Sequence, residues 1–575
     1  MASSFMGLYV QREALLVSQK ALDVTGNNIA NIKTKGYTRQ RVDVASVANT
    51  GGNLGYNTRV SLAGKGVEGV GVTQIRDALL DEKYRKYTTD VTDTAVKATV
   101  LSDIEDALDD IEADDAGFAA ILGKFKESLQ AFSSDNADRN EIANVALGAA
   151  KNVVQVINDF STRMDSVADN TIGDAKSTTA RINSIFKEMA GLNEQIKDSY
   201  IQMGYISNDG SGYKVDNTYG PLELKDKMNL LVDELAEYGN IDVKEETTGQ
   251  FSITFAGQVA VSGKDYAQIA MTEDNPALGS LGFVMSNAGA YDPITQTYDG
   301  LKNAEEWQTQ IETSGTLEAF VRDPANSTDI TGKANISGGS LRGYIDMYNG
   351  NGLYADTAVG ENNYQGIYYY KNMINALAKS FVDEFNAVYK DFGFEVFNYS
   401  AGADFNSAAE HLRVSQTWID NPELIAKPHL IDPATFGSVD DEYAELNNPY
   451  INKMLGVLER EHSIGNGQYV TDPISGDITY DGKKEALNYT FQDYVIYYGD
   501  KLGSQCEYEK NVVKTKEIMV TSAAKARDEV MGVSLEEEGV NMMNYQKWYN
   551  AIARMVTSID QCLEKLINGT GVCGL

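Results

Sequence analysis

The chain is poor in the residues that most often build reaction centres: its 575 positions hold 3 cysteines, 3 histidines and 3 tryptophans. Cys506, Cys562 and Cys573 crowd toward the C-terminus without CxxC spacing, and His411, His429 and His462 form no HExxH motif. An odd, crowded cysteine count does not describe a disulfide framework, and such scattered histidines suit neither metal binding nor nucleophile activation. Only 9 prolines interrupt the chain, which leaves room for long helices. No apolar run reaches about 18 residues, so no membrane-spanning helix is expected. The apolar stretch Phe5 to Val10 is cut short by Gln11, Arg12 and Glu13, with no small-residue cleavage site after it, so it does not read as a secretory signal. By conventional targeting signals the chain reads as cytosolic, unless it leaves by a route that needs no cleaved peptide.

Positive charge is scarce as well. The formal charge is −34, and it is unevenly spread. Residues 1–89 hold 12 Lys/Arg against 7 Asp/Glu, a net of +5, whereas the rest hold 37 against 76, a net of −39. An acidic body repels nucleic acid and anionic lipid, so neither is an expected partner.

What the chain does have is helical periodicity at both ends. Met542, Tyr545, Tyr549, Ile552, Val556, Ile559, Leu563 and Leu566 alternate at spacings of three and four, a heptad seam of 25 residues. Such a helix is about 36 Å long. Ser534-Leu535-Glu536-Glu537 reads as its capping box. At the other end Leu8, Leu15, Leu22 and Ile29 recur every seventh residue, and Thr25-Gly26-Asn27-Asn28 is expected to loosen or end that helix. Leu101 to Phe132 keeps one heptad register, with Asp115 in a polar seat. Val153 to Val167 and Ile182 to Ile196 form two further seams, and more helix is expected near Tyr369 to Val388 and Leu502 to Val530.

The middle differs. Short alternating runs such as Phe251-Ser-Ile253-Thr-Phe255 and Val259-Ala-Val261, set between Gly, Asn and Asp, predict strands and turns, with a hairpin turn expected at Asp481-Gly482. The fold class is therefore α+β and multidomain: a long helical-bundle or coiled-coil core built from both terminal segments, with β-rich insertions in the middle.

The C-terminal helix carries more than one sticky stripe, since Val540, Met543, Trp548, Met555 and Ile567 lie off the seam. One stripe on one partner offsets only part of the entropy of ordering such a segment. Two readings follow: an ordinary intramolecular bundle joining the two ends, or termini that complete their order by packing with neighbouring copies in an open helical array. Periodicity does not separate them.

Sequence resemblance does. Ala21 to Asn31, with its Asn27-Asn28-Ile29-Ala30-Asn31 core, followed by Thr34-Lys35-Gly36-Tyr37-Thr38-Arg39-Gln40, resembles the N-terminal signature of flagellar rod, hook and hook-associated proteins. The Gly-Tyr-Thr-Arg-Gln ending is most similar to the hook-associated protein 1 family; Lys35 departs from it, standing where proline or an acidic residue is usual. Gly532 to Glu538, Tyr545-Gln546, Tyr549, Ala553-Arg554 and Ile559-Asp560 are similar to that family's C-terminal signature. The resemblance implies a non-enzymatic structural subunit that needs no cofactor. It also implies export in unfolded form through the flagellar type III apparatus, after a transient cytoplasmic stage, to the extracellular hook–filament junction. The implied partners are the protein itself, the hook protein, hook-associated protein 3 and a dedicated export chaperone on the C-terminal region. A hook or distal-rod subunit is the nearest alternative, and the middle region could also serve as an adhesin.

The implied layout is an N-terminal assembly helix and signature loop over 1–40, a helical rod domain over 41–238, and a β-rich insert over 239–366. A returning helix over 367–391, a second β-rich region over 392–490, the rest of the rod over 491–531 and a C-terminal assembly helix over 532–575 complete it. The expected assembly surface is Leu8, Leu15, Leu22, Asn27, Asn28, Ile29, Asn31, Gly36, Tyr37, Arg39 and Gln40 at one end. At the other it is Leu535, Met542, Tyr545, Trp548, Tyr549, Ile552, Val556, Ile559, Leu563 and Leu566.

Several residues admit two roles. Asn27, Asn28 and Asn31 suit either a turn within the chain or a neighbouring subunit. Arg39 and Arg41 suit either solvent or an acidic group on an adjacent copy. Tyr545, Trp548 and Tyr549 suit either core packing or a contact between subunits. Glu536, Glu537 and Glu538 fit a helix N-terminus, where negative charge is favoured, better than a metal or catalytic site. Gly66-Val-Glu-Gly69-Val-Gly71 reads as a flexible turn, because the glycine order is wrong for a phosphate loop and no P-loop lysine follows. Asp209-Gly-Ser211-Gly lacks the later ligands of a calcium loop. Among 83 acidic residues no motif singles out a glycosidase pair.

Overall fold

A computed structural model describes residues 4–47, 66–112, 117–133, 139–202, 206–208, 213–215, 220–246, 249–275, 280–286, 291–292, 297–298, 331–333, 335–352, 363–401, 407–432, 448–465, 469–471, 478–480 and 486–569. Asp115, Asp209 to Gly212, Asp481-Gly482 and Cys573 lie outside the described residues.

The architecture is a set of long helices with small antiparallel sheets inserted between them. Helix α1 spans Ser4–Ala30 and leads into a two-stranded ribbon, β1 (Gln40–Ser46) against β2 (Val67–Gln74). Helices α2 (Ala78–Glu112), α3 (Phe118–Gln130), α4 (Arg139–Gln202) and α5 (Leu222–Tyr238) follow, with a short hairpin of β3 (Ile206–Asn208) and β4 (Tyr213–Val215) before α5. The single register Leu101 to Phe132 is thus divided between α2 and α3, while the two seams at 153–167 and 182–196 share one helix of 64 residues. At 1.5 Å per residue, α4 runs about 96 Å and serves as the backbone of the body.

The chain then builds a sheet in the order β5 (Ile241–Glu245), β6 (Phe251–Phe255), β7 (Gln258–Ser262) and β8 (Asp265–Tyr266), followed by the pair β9 (Ile269–Asn275) and β10 (Ser280–Ser286). Alternation in β6 buries Phe251, Ile253 and Phe255 on one face, as its period of two requires. Helices α6 (Ser340–Asn349) and α7 (Ile367–Ala387) return to the body, and α8 (Phe491–Met531) and α9 (Leu535–Gly569) close the chain. On either side of Asp481-Gly482, Ile478–Tyr480 pairs with Tyr469–Thr471 and Ala486–Tyr489 pairs with His462–Gly465.

The core is continuous from α2, α3 and α4 through the sheet to α7 and α8, with Phe118, Phe125, Ile157, Phe186, Phe255, Phe381 and Tyr494 almost wholly enclosed. Its strands are fastened to its helices by a repeated device. Asn193 of α4 donates to the Phe251 carbonyl at 2.8 Å and accepts from the Phe251 N–H at 2.8 Å. Asn183 treats Ile269 in the same way, at 2.8 Å each, and Asn386 of α7 treats Phe397 so, at 2.8 and 3.1 Å. An asparagine amide has the donor and acceptor spacing of a peptide group, so each clamp satisfies a strand residue that would otherwise bury unpaired backbone.

Two sequence expectations are corrected. Gly66 to Gly71 is no flexible turn: Val67–Gln74 is a strand paired with β1. Nor does Thr25-Gly26-Asn27-Asn28 end α1, which continues to Ala30 because Thr25 and Asn28 are buried in specific contacts that outweigh weak helix propensity. Among the described residues, no helix is long and apolar enough to cross a membrane, and no cluster of three or more His, Cys, Asp or Glu could hold a metal.

Candidate assembly interface

The N-terminal signature folds into a hub. After α1, Asn31, Thr34 and Tyr37 close successive backbone turns, and Gly36 takes the left-handed conformation at φ +80°. A side chain there would set its Cβ 2.4 Å from Leu230 of α5, so both the turn and the close approach call for glycine. Asn27, Asn31 and Thr34 bond one another: Asn31 donates to the Asn27 carbonyl at 3.0 Å and its side-chain oxygen at 2.9 Å, and Thr34 donates to Asn31 at 3.1 Å.

Asn28 sits at the centre, 1% exposed. It clamps Gln40 as the other asparagines clamp their strands, donating to the Gln40 carbonyl at 2.9 Å and accepting from its N–H at 3.0 Å. Its oxygen also accepts from the Tyr37 hydroxyl at 2.8 Å, and its second N–H donates to Glu538 of α9 at 3.1 Å. Glu538 is 2% exposed and receives Arg39 Nε at 2.9 Å and Nη2 at 2.8 Å, while Arg39 Nη1 reaches Glu537 at 2.7 Å. The Arg39 N–H donates to the Met531 carbonyl at the end of α8. Burial, with Asp226, Glu223 and Glu538 nearby, pushes the Tyr37 phenol upward and keeps it neutral.

Arg39 is therefore neither solvated nor left over for another copy. It pairs with two carboxylates of its own chain, with Oε1 of Glu538 through Nε and Nη2 and with Glu537 through Nη1, because the start of α9 returns to the signature. The acidic triplet divides accordingly: Glu536 and Glu537 lie at the exposed helix start, whereas Glu538 is an interior ion-pair partner. Ser534 accepts from the Glu537 N–H at 3.4 Å, the forward half of a capping box, while the Glu537 carboxylate turns to Arg39.

A second set of contacts ties the hub to the body. Thr38 donates its hydroxyl to Asp226 at 2.6 Å and its N–H at 3.2 Å. Burial raises Asp226 to about 6, against the lowering effect of those bonds and of Arg76. Asp233 of α5 joins Arg85 of α2 at 2.8 Å to Arg527 of α8 at 2.7 Å, and Arg527 lies over the Tyr84 ring. Nothing local in the sequence marked Asp226, Asp233 or the interior role of Glu538.

Beyond the hub, α1 and α9 pack along each other; Ile559 approaches within 3.7 Å of where a side chain on Gly7 would begin. On α9 the seam Met542, Tyr545, Tyr549, Ile552, Val556, Ile559 and Leu563 is buried or half-buried, as is Trp548. On α1 the fully buried positions are Ala14, Val17, Ser18, Ala21, Val24, Thr25 and Asn28. The heptad Leu8, Leu15, Leu22 and Ile29 lies one step round the helix and is half-buried. Small residues occupy the buried face because two helices and the β1–β2 ribbon approach closely there; Gly69 of β2 lies against Val17. A second stripe stays open: Val540, Met543 and Met555 of α9 are each more than half exposed, as are Ile567, Leu535, Tyr9 and the last seam residue, Leu566.

Three family models match along the chain, in order. A flagella basal body rod protein model covers 8–38, the flagellar hook-associated protein FlgK helical domain covers 101–301, and the flagellar basal body rod FlgEFG protein C-terminal model covers 526–569. The flagellar hook-associated protein 1 of Bacillus subtilis is 28% identical over 588 aligned residues, taking in 100% of both chains. Over its whole length the chain is similar to flagellar hook-associated protein 1. The Escherichia coli protein of that name is 23% identical, and the Salmonella typhimurium one 24%, each over 96% of this chain and 98% of the relative. The flagellar hook junction protein FlgK from Burkholderia pseudomallei aligns over 56% of this chain and 47% of its own, at 16% identity and a TM-score of 0.38. The two terminal family matches hold the two halves of the hub: Asn28 falls in one and Glu538 in the other. This is a family of structural flagellar proteins, not of enzymes.

Proposed function

We propose that this protein is a structural subunit of the junction between flagellar hook and filament, built into that junction through α1 and α9. The observation that supports this reading is the open apolar stripe of α9. One stripe is covered by α1, while Val540, Met543 and Met555 on another face are each more than half exposed among the described residues. Exposed apolar surface of that extent on a terminal helix marks a contact with further protein. Adjacent copies and the neighbouring layers are its natural cover, in a head-to-tail array that need not close on itself.

In this reading the chain passes through the cytoplasm, leaves unfolded by the flagellar type III route, and seats on the hook protein. Hook-associated protein 3 then builds on it, and an export chaperone guards the C-terminal region beforehand. Assembly engages the faces of α1 and α9 that stay exposed, with Leu535 and Leu566 among the residues named from the sequence, while Asn28, Arg39, Gln40 and Ile552 hold the two ends together within the subunit. The parts of the chain over 41–238 and 491–531 form the rod, and the inserts over 239–366 and 392–490 lie outside it.

The test is complementation of cells lacking the gene. Met555→Asp places a charge on the open stripe without touching the α1 contact, so the monomer keeps its stability while hooks stay bare under electron microscopy. Filaments of normal length on those cells would overturn the proposal.

A further inference from the structure

A cavity of about 100 Å³ lies inside the helical body, where α2, α4, α7 and α8 meet. Its wall is apolar and buried: Leu108 of α2, Phe160 of α4, Ile374 and Leu377 of α7, and Leu502 of α8. Glu105, Val495 and Gly499 are the half-buried members of the lining and form its rim. Helix interiors disfavour glycine relative to alanine. Within the 41 residues of α8, Gly499 withholds a side chain from the side that lines the cavity.

One polar group of the wall lacks a partner. Tyr498 is 6% exposed, and among the described residues its hydroxyl makes no hydrogen bond. Its neighbours are engaged. The Tyr370 ring stands edge-on to Tyr498 at 5.4 Å and donates its hydroxyl to Gln505 at 2.6 Å, while the Tyr494 hydroxyl donates to the Met373 carbonyl at 3.3 Å. At the rim, Glu105 faces Lys510 at 3.5 Å. Burial pushes the Tyr498 phenol well upward, so its hydroxyl stays a neutral donor. A buried hydroxyl without a partner is unfavourable, and native interiors hold few of them.

We propose that this cavity is a binding site for a single-ring aromatic molecule whose one oxygen accepts the Tyr498 hydroxyl. Size sets the upper bound. A closed cavity of about 150 Å³ lined by Leu, Ile and Phe binds benzene; this one is smaller but opens beside Gly499, so one ring fits and two do not. Chemistry sets the rest. A water asks for two to four polar partners, and Tyr498 supplies one. An aromatic ring instead meets Leu108, Leu377 and the Phe160 ring, and a single acceptor atom completes Tyr498. Four helices share the wall, so an occupant ties α2 and α4 to α7 and α8 and stabilises the folded body. The site lies apart from α1 and α9 and does not depend on the junction reading.

The test uses the full-length protein and two probes of one shape, phenol and toluene, of which phenol alone carries an acceptor. Melting temperature is expected to rise saturably with either probe, and calorimetric titration to give phenol a dissociation constant about fivefold lower than that of toluene. Tyr498→Phe is expected to melt no lower than the parent, since its hydroxyl has no hydrogen bond to lose, and to reduce phenol binding to the level of toluene. Leu377→Phe fills the cavity from α7 and is expected to abolish binding of both probes; Leu108→Phe does the same from α2 should the first variant fail to fold. No saturable binding of either probe overturns the site, as does binding that survives the filling variants. Equal affinities in the parent overturn the ligand class. A Tyr498→Phe variant that melts several degrees lower overturns it too, because the hydroxyl is then already bonded, as to an enclosed water.

Discussion

Asn28 and Glu538 stand 510 positions apart in sequence and meet at 3.1 Å inside the protein, where Arg39 completes the group. Neither end of the chain satisfies its own buried polar atoms. Without α9, Asn28 loses its fourth hydrogen bond and Arg39 its carboxylate; without the signature, Glu538 is a buried, uncompensated charge.

Glu538→Ala tests how strongly this group holds the ends. Breaking a buried pair from one side costs about 3–5 kcal/mol. Because α1 and α9 contribute no residue to the continuous core, the loss is expected as faster amide exchange throughout α1 and α9. Exchange in α4 should stay as it was. Unchanged exchange in α1 would show that the ends are held by their apolar seam alone.

Gly36→Ala combines a left-handed φ with a Cβ placed against Leu230. A loss of about 1–3 kcal/mol is expected from strain and repacking together. Urea unfolding of the purified protein measures it. A change within experimental error would mean that the loop shifts off α5 without penalty.

Asn193→Asp replaces the amide N–H that reaches the Phe251 and Gly263 carbonyls, at 2.8 and 2.9 Å, with a second acceptor. Two buried carbonyls then face a carboxylate, and a destabilisation of about 2–4 kcal/mol is expected. Asn193→Ala is expected to be damaging as well, since it leaves the same backbone groups unpaired. Thermal melts that place both variants within a degree of the parent would discount the clamp.

Asp226 gives the junction between hub and body a pH dependence. Its folded-state value is raised from 3.8 to about 6, so the folded protein holds that proton more tightly than the unfolded chain. The sign follows: its contribution to stability is fully present below pH 3.8 and is lost as pH rises through 6. Asp226→Asn keeps a neutral acceptor for Thr38 and is expected to flatten this part of the stability profile between pH 4 and 7. Parallel profiles for parent and variant would remove Asp226 as the source.

Hydrogen exchange on the isolated protein, before assembly, is expected to be faster in α9 beyond the hub, over residues 555–568, than in α4, because Met555, Leu566 and Ile567 stay exposed there. Strong protection there in a verified monomer would contradict the assembly argument.

Local spacing determined much of this protein. Met542 to Leu566 form a helix because apolar residues fall every three or four positions, and β6 is a strand because Phe251, Ile253 and Phe255 alternate. The signature Asn27 to Gln40 was enough to imply the family. Only the tertiary structure decided that α1 continues through Gly26, that its small residues and not its leucines are fully buried, and that Arg39 finds its acid within the same chain. The reason is physical: periodicity reports which face of a segment is apolar, but Asn28, Asp226 and Glu538 take their roles from where the chain returns hundreds of residues later, and no local spacing encodes that path.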